Sequence, residues 1–252
     1  MTKPAPPSPH RPGRAVLEGL LDLRPRVGVE PTAVAADDAV ARGLAVAKVY
    51  AFASVDYPGA AQSLVFDSDG TTAVGAFVFD PASTTSPTTA FTFTGGVYQV
   101  LTVPSSNESI ATGINGAGLI VGVYRDLAGV RRGFADNGGT FSNVDFPGAN
   151  GTQAYGVNDA GQVVGDYFDV ASVEHGFLSS GGTFTAIDFP GATATAAAGI
   201  NAAGDIVGVW SDATASHGFL LQAGVFTPIN FPLATQHNRN RHQRHRGDRR
   251  LL

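Results

Sequence analysis

Apolar residues along this chain fall in short runs broken at close intervals by Gly, Pro, Asn, Asp and Ser. Short alternating runs between turn-forming residues predict β-strands, because an amphipathic helix needs apolar positions three and four residues apart over a longer stretch. The pattern is clearest in the middle of the chain. There four strand-like segments, A to D, run over Thr152 to Asn158, Gln162 to Asp169, Glu174 to Ser179 and Thr183 to Phe189. Asp159-Ala160-Gly161 separates A from B and Ser180-Gly181-Gly182 separates C from D, short glycine-bearing connections of the kind that close hairpins.

The four-segment unit repeats. Val55-Asp56-Tyr57-Pro58-Gly59, Leu101-Thr102-Val103-Pro104-Ser105, Val144-Asp145-Phe146-Pro147-Gly148, Ile187-Asp188-Phe189-Pro190-Gly191 and Ile229-Asn230-Phe231-Pro232-Leu233 follow one another at offsets of 46, 43, 43 and 42 residues. The longer first offset carries extra Pro, Ser and Thr between Asp80 and Ala90, an insertion in a loop. Four antiparallel strands in a unit of this length match a propeller blade of ~40–50 residues. The expected fold is an all-β propeller, possible in incomplete form, with an open β-solenoid of stacked hairpin repeats as the alternative.

The expected organisation is a poorly ordered or partly helical leader over 1–50, a repeat domain over 51–236 and a basic tail over 237–252. The repeat domain divides into an orphan D strand at 52–57 and blades at about 60–103, 107–146, 150–189 and 193–231. Gly75, Gly122, Gly165 and Gly208 recur inside strand B, where glycine marks the close approach of another backbone, expected here to be crowding near the propeller axis. Phe77, Tyr124, Tyr167 and Trp210 follow two residues on, placed to pack between blades. In the Pro-Gly corners Pro presets φ and Gly accepts positive φ, which predicts type II turns.

Charge is divided unevenly. Between Ala51 and Gln236 only Arg125, Arg131 and Arg132 oppose 15 acidic residues, which argues against phosphate-backbone binding by the repeat domain. The final sixteen residues hold six Arg and three His. With suitable synonymous codons this tail, read one base later, gives Thr-Thr-Gly-Ile-Ala-Ile-Asn-Gly-Thr-Gly-Glu-Ile-Val-Gly-Tyr. That matches Thr112 to Tyr124 with a short insertion, so a frameshift that ended the reading of a further blade is expected. A genuine basic tail for nucleic acid or anionic lipid is the alternative. There is no cysteine, which removes disulfides and thiolate metal sites. Ala15 to Val29 is too polar for the apolar part of a signal peptide, and no segment has the length and apolarity of a membrane span.

The chemical candidates are few. His175 and His217 hold equivalent places on strand C, with Arg132 and Ala90 in the other copies; two ligands are too few for a structural zinc site, so each is expected to bond a neighbouring blade. Asp80, Asp126, Asp169 and Asp212 recur after strand B, and that recurrence favours turn structure over general acid-base work. Asp67-Ser68-Asp69-Gly70 looks like the start of a calcium loop but lacks the closing glutamate, and it aligns with the A to B turns. Neither a metal nor a cofactor is expected. Glu108, Asp136 and Glu174 break the repeat and are where a unique ligand-binding or catalytic site would arise.

Gly199-Ile200-Asn201, Ile206-Val207-Gly208, His217-Gly218-Phe219-Leu220 and Ile187-Asp188-Phe189-Pro190-Gly191-Ala192 together resemble the bacterial extracellular repeats of the HAF family. The likeness covers about Phe52 to Gln236, with departures at Arg132-Gly133-Phe134 and Ala90-Phe91. It implies a secreted or surface protein and carries no established activity. The expectation is a monomeric, non-catalytic binding module with a protein or glycan ligand. A polysaccharide-active enzyme is the second reading.

Overall fold

The computed structural model describes residues 54–80 and 87–229. The expected leader, most of the residues extra to the first repeat, residues 52 and 53, and the basic tail lie outside them. The described residues contain no helix, and so none long and apolar enough to cross a membrane.

Sixteen strands form four separate antiparallel sheets of four, each an up-and-down meander. The first holds β1 (Gln62–Ser68), β2 (Thr72–Val78), β3 (Thr89–Thr94) and β4 (Val97–Val100), and the second β5 (Ser106–Ile114), β6 (Leu119–Asp126), β7 (Arg131–Asn137) and β8 (Thr140–Asn143). The third holds β9 (Gly151–Val157), β10 (Val163–Phe168), β11 (Glu174–Ser180) and β12 (Thr183–Ile187), and the fourth β13 (Ala194–Ile200), β14 (Ile206–Ser211), β15 (Ser216–Gln222) and β16 (Val225–Ile229). These are the A to D segments of the repeat, and no strand pairs across sheets, as stacked hairpins of a solenoid would. The arrangement is a four-bladed antiparallel β-propeller, in which the first strand of each later blade lies across the preceding blade. Among the described residues no comparable packing joins the fourth blade to the first.

The strand B glycines answer to a bulge within their own blade, rather than to crowding at the axis. The register between strands A and B slips by one residue after Val65, Ala111, Ala154 and Ala197. A bulge bends its strand locally. It brings a strand A carbonyl over the glycine: a Cβ at Gly122 would lie 2.1 Å from the Ile110 oxygen and 2.6 Å from the Phe134 ring. Gly75, Gly165 and Gly208 repeat the arrangement under Phe91, Phe177 and Phe219.

The hydrophobic core lies between blades. Val74, Val121 and Val164 of strand B are fully buried against the next blade, which contributes Ala111, Ala154 and Ala197 of strand A with Phe134, Phe177 and Phe219 of strand C. Each fully buried Val or Phe is worth about 1.5–3 kcal/mol, so the three interfaces carry much of the fold's stability. Polar bonds at one end of the strands add to them. Asn115 Nδ2 donates to the Asn158 carbonyl at 2.9 Å, and Asn158 Nδ2 to the Asn201 carbonyl at 3.0 Å.

The links between blades are the predicted type II turns. Ala60, Ala149 and Ala192 donate back to the carbonyls of Tyr57, Phe146 and Phe189, with Gly59, Gly148 and Gly191 at φ 78°, 79° and 82°. Where the repeat lacks its glycine, Ser105 takes the strained conformation at φ 55°. Val55 to Tyr57, expected as part of a D strand, is not a strand: it is the link that enters the first blade. The Asp-Phe-Pro-Gly strings likewise follow strand D rather than belong to it, since β12 ends at Ile187.

Candidate functional site

The B to C turns and the Pro-Gly links share one end of the strands, because the meander alternates direction. Three aspartates shape these turns. Asp126 Oδ1 accepts from the amides of Ala128 and Val130, Asp169 Oδ1 from Ala171 and Val173, and Asp212 Oδ1 from Thr214 and Ala215. The amide bond from Val130 leads in holding the Asp126 carboxyl below its ordinary range, and that from Val173 does so for Asp169. For Asp212 the Thr214 hydroxyl leads. Donors aimed at a carboxylate favour its charged form, and here they commit it to the turn. In the first blade the strand register puts Phe79 at this position, so Asp80 stands one residue beyond the other three.

A nitrogen-bearing side chain sits beside each aspartate, on strand C. Arg132 bonds Asp126 at 3.2 Å and Asp145 at 3.5 Å. His175 lies between Asp188 at 2.8 Å and Asp169 at 3.6 Å, and His217 meets Asp212 at 3.3 Å. Among the described residues, His175 thus meets carboxylates of its own blade and its outgoing link and His217 one of its own blade, where a neighbouring blade was expected. Their equivalent in the first blade is Thr89, opposite Phe77, rather than Ala90. Each ring is also the outer member of a pile: Phe146, Tyr167 and His175 stack in turn, as do Phe189, Trp210 and His217. Asp67 and Asp69 are spent locally as well. Asp69 Oδ1 accepts from Thr71 and Thr72 in the A to B turn, and Asp67 Oδ2 accepts from the Ile114 amide of the next blade. Among the described residues no group of three His, Asp or Glu side chains is placed to hold a metal ion.

The three repeat-breaking carboxylates are not brought together. Glu108 on β5 pairs with Arg125 at 3.1 Å, both well exposed to water. Asp136 on β7 is buried and accepts the Gly139 amide at 2.7 Å, fixing the C to D hairpin. Glu174, at the start of β11, is hydrogen-bonded to a carboxylate that sequence reasoning missed, Asp166 on β10.

Asp166 is fully buried, yet it fills the strand position held by Ala76, Val123 and Val209 in the other blades. Its Oδ1 accepts from Gln153 Nε2 at 2.9 Å and its Oδ2 from the Tyr155 hydroxyl at 2.8 Å. Arg131 of the second blade donates to Gln153 Oε1 at 2.9 Å. Burial raises both carboxyls above their ordinary range, and the negative Asp166 raises Glu174 further. Two buried carboxyls in contact resist ionising together, so the pair as a whole holds a proton above the ordinary carboxylate range. Every oxygen of Asp166 is engaged by protein donors, which makes the group a polar brace across the second and third blades. The signal for it was present in the sequence as a charged residue in an aliphatic column.

Beside these polar groups the turn end exposes apolar side chains. Leu127 is 71% exposed and Val170 81% exposed, each at the tip of a B to C turn, with Phe79 and Val173 beside the corresponding turns of the first and third blades.

No protein-family model matches the chain, and no characterised protein matches it in sequence at a significant level. Solved structures resemble its fold. The β-propeller domain of the Trilobed protease from Pyrococcus furiosus aligns with 13% identity and a TM-score of 0.48, over 66% of this chain and 53% of that one. A streptogramin B lyase aligns with 13% identity and a TM-score of 0.45, over 71% and 57%. A lectin from Aleuria aurantia, in complex with Fucα1-6GlcNAc, gives 12% identity and a TM-score of 0.40, over 63% and 56%. The chain thus spans little more than half the length of the structures it matches.

Proposed function

We propose that this propeller is a non-catalytic binding module that meets a protein or glycan ligand with the end bearing its B to C turns. The observation that carries this reading is the contrast between the two ends. At one, the A to B turns after Asn115, Asn158 and Asn201 share one hydrogen-bonded pattern, and the C to D hairpins are glycine-based. At the other, the B to C turns keep an aspartate in three blades but differ at their tips, and expose Leu127 and Val170. Loops that vary on a constant scaffold are where binding surfaces arise. A catalytic reading would need carboxylates converging in an accessible cleft, whereas Glu108, Asp136 and Glu174 are each bonded elsewhere. The likeness to HAF repeats supports an extracellular or surface setting.

The test is a glycan array and a panel of extracellular proteins probed with the whole chain, alongside a polysaccharide hydrolysis screen. The Leu127→Ser, Val170→Ser double variant is expected to keep its far-ultraviolet circular dichroism and lose binding. Polysaccharide turnover that disappears in Glu174→Gln would overturn the reading in favour of an enzyme.

A further inference from the structure

The fourth blade keeps the face that the first three use to receive a following blade. Val207 stands at the position of Val74, Val121 and Val164, and Ile229 at that of Val144 and Ile187, all of them buried. Val207 and Ile229 are 46% and 52% exposed. The backbone is shaped for contact too. A Cβ on Gly113 would lie 2.9 Å from the Tyr155 carbonyl of the next blade, and one on Gly156 would lie 3.2 Å from Gly199 Cα, so these glycines let neighbouring strands touch. The repeat keeps glycine at Gly199, with no following strand against it among the described residues. Asn201, which would donate onward as Asn115 and Asn158 do, turns its amide back to Asp205 at 2.9 Å.

The first blade presents the strand A part of the complementary half, its strand C counterpart Phe91 being already fully buried. Its strand A bears Val65 where Ala111, Ala154 and Ala197 are buried against a preceding blade, and Val65 is 44% exposed. The described residues therefore carry one donor face and one acceptor face of an interface that they form three times internally.

We infer that a second copy of this chain covers these faces, the fourth blade of one copy packing on the first blade of the other. The occupant follows from continuity: the only partner of this shape among the described residues is the first blade itself. Such an interface is heterologous, and it closes into a ring when the rotation per blade allows. Two copies supply eight blades, within the range of about 4–8 that propellers use. This departs from the monomer expected from the sequence.

Light scattering after size exclusion, over a hundredfold concentration range, tests the inference on the full chain. The wild type is expected to reach twice the monomer mass. Val207→Asp and Val65→Asp, each placed on an exposed face, are expected to be folded and monomeric when alone. An equimolar mixture of the two regains a dimer, because one copy still has an intact fourth blade and the other an intact first blade. A wild type that stays monomeric at every concentration overturns the inference, whatever the variants do. A Val65→Asp protein that remains dimeric also overturns it, since that indicates a symmetric contact between fourth blades. The single tryptophan, Trp210, reports by fluorescence whether each variant is folded.

Discussion

The side-chain amide of Asn115 donates to the backbone carbonyl of Asn158, its own counterpart one blade on, at 2.9 Å. The same side chain accepts the amides of Ala117 and Leu119, so it closes its own turn and ties that turn to the next. Asn201 makes the equivalent turn bonds without the onward one. Each side chain makes three bonds, Asn201 through Asp205 in place of the onward carbonyl, but Asn115 is buried and Asn201 exposed, so Asn115→Ala should cost about 3 kcal/mol and Asn201→Ala about 1–2 kcal/mol, water replacing the exposed bonds. Urea unfolding followed at Trp210 measures both. Equal losses would mean that the bond between blades contributes nothing.

The strand B glycines admit no side chain. Gly122→Ala puts a methyl group 2.1 Å from the Ile110 carbonyl oxygen and 2.6 Å from the buried Phe134 ring. A loss of more than about 3 kcal/mol is expected, read as a lowered urea midpoint or as insoluble protein. A well-folded alanine variant would show that the bulge can relax.

Ala223 is a site where a glycine is missing. The C to D hairpins of the first three blades place Gly95, Gly138 and Gly181 at φ near 60°, and Ala223 does the same at φ 48°. An L-residue pays about 1–2 kcal/mol for this conformation, offset in part by the greater freedom that glycine gives the unfolded chain. Ala223→Gly should thus stabilise by up to about 1 kcal/mol, visible as a rise in Tm of about 2–4 °C.

The Asp166–Glu174 pair ties stability to pH. Both carboxyls bind protons more tightly folded than unfolded, and Glu174 is pushed up to about 8. The folded state therefore holds the extra protons above the ordinary carboxylate range, and stability falls as pH rises from about 5 toward 9. Glu174→Gln keeps a donor facing Asp166 and removes that titration. Its Tm should decline less than the wild type's over the alkaline half of that window, and an unchanged slope would place the linkage elsewhere.

Much of this architecture was legible in the residues. The spacing of the Asp-Phe-Pro-Gly strings set the period, and the glycine turns set four strands per unit. Two things were not. The bulge in strand A adds a residue without altering composition, so the reason for Gly75, Gly122, Gly165 and Gly208 was misplaced to the axis. Burial cannot be read from type alone either, because Val164 and Val207 are the same residue at the same place in the repeat, one covered and one bare. Of the candidate site, Glu174 is marked in the sequence by breaking the repeat, whereas Asp166 stands inside a strand, at a position where the other blades carry alanine and valine.

The aromatic residue of each Pro-Gly link packs forward. Tyr57 stacks on Phe77, Phe146 on Tyr167 and Phe189 on Trp210, with ring centroids 3.7, 3.7 and 4.2 Å apart. The piece of chain that owns its contacts therefore starts at a link and runs through the sheet after it, from Val144 to Ala186 for example. Gene duplication that copied this piece would have delivered each new blade with its own aromatic cover already attached. An engineer adding or removing blades should cut just before the link, because a cut after it leaves one blade uncovered and another with a ring and nothing to stack on.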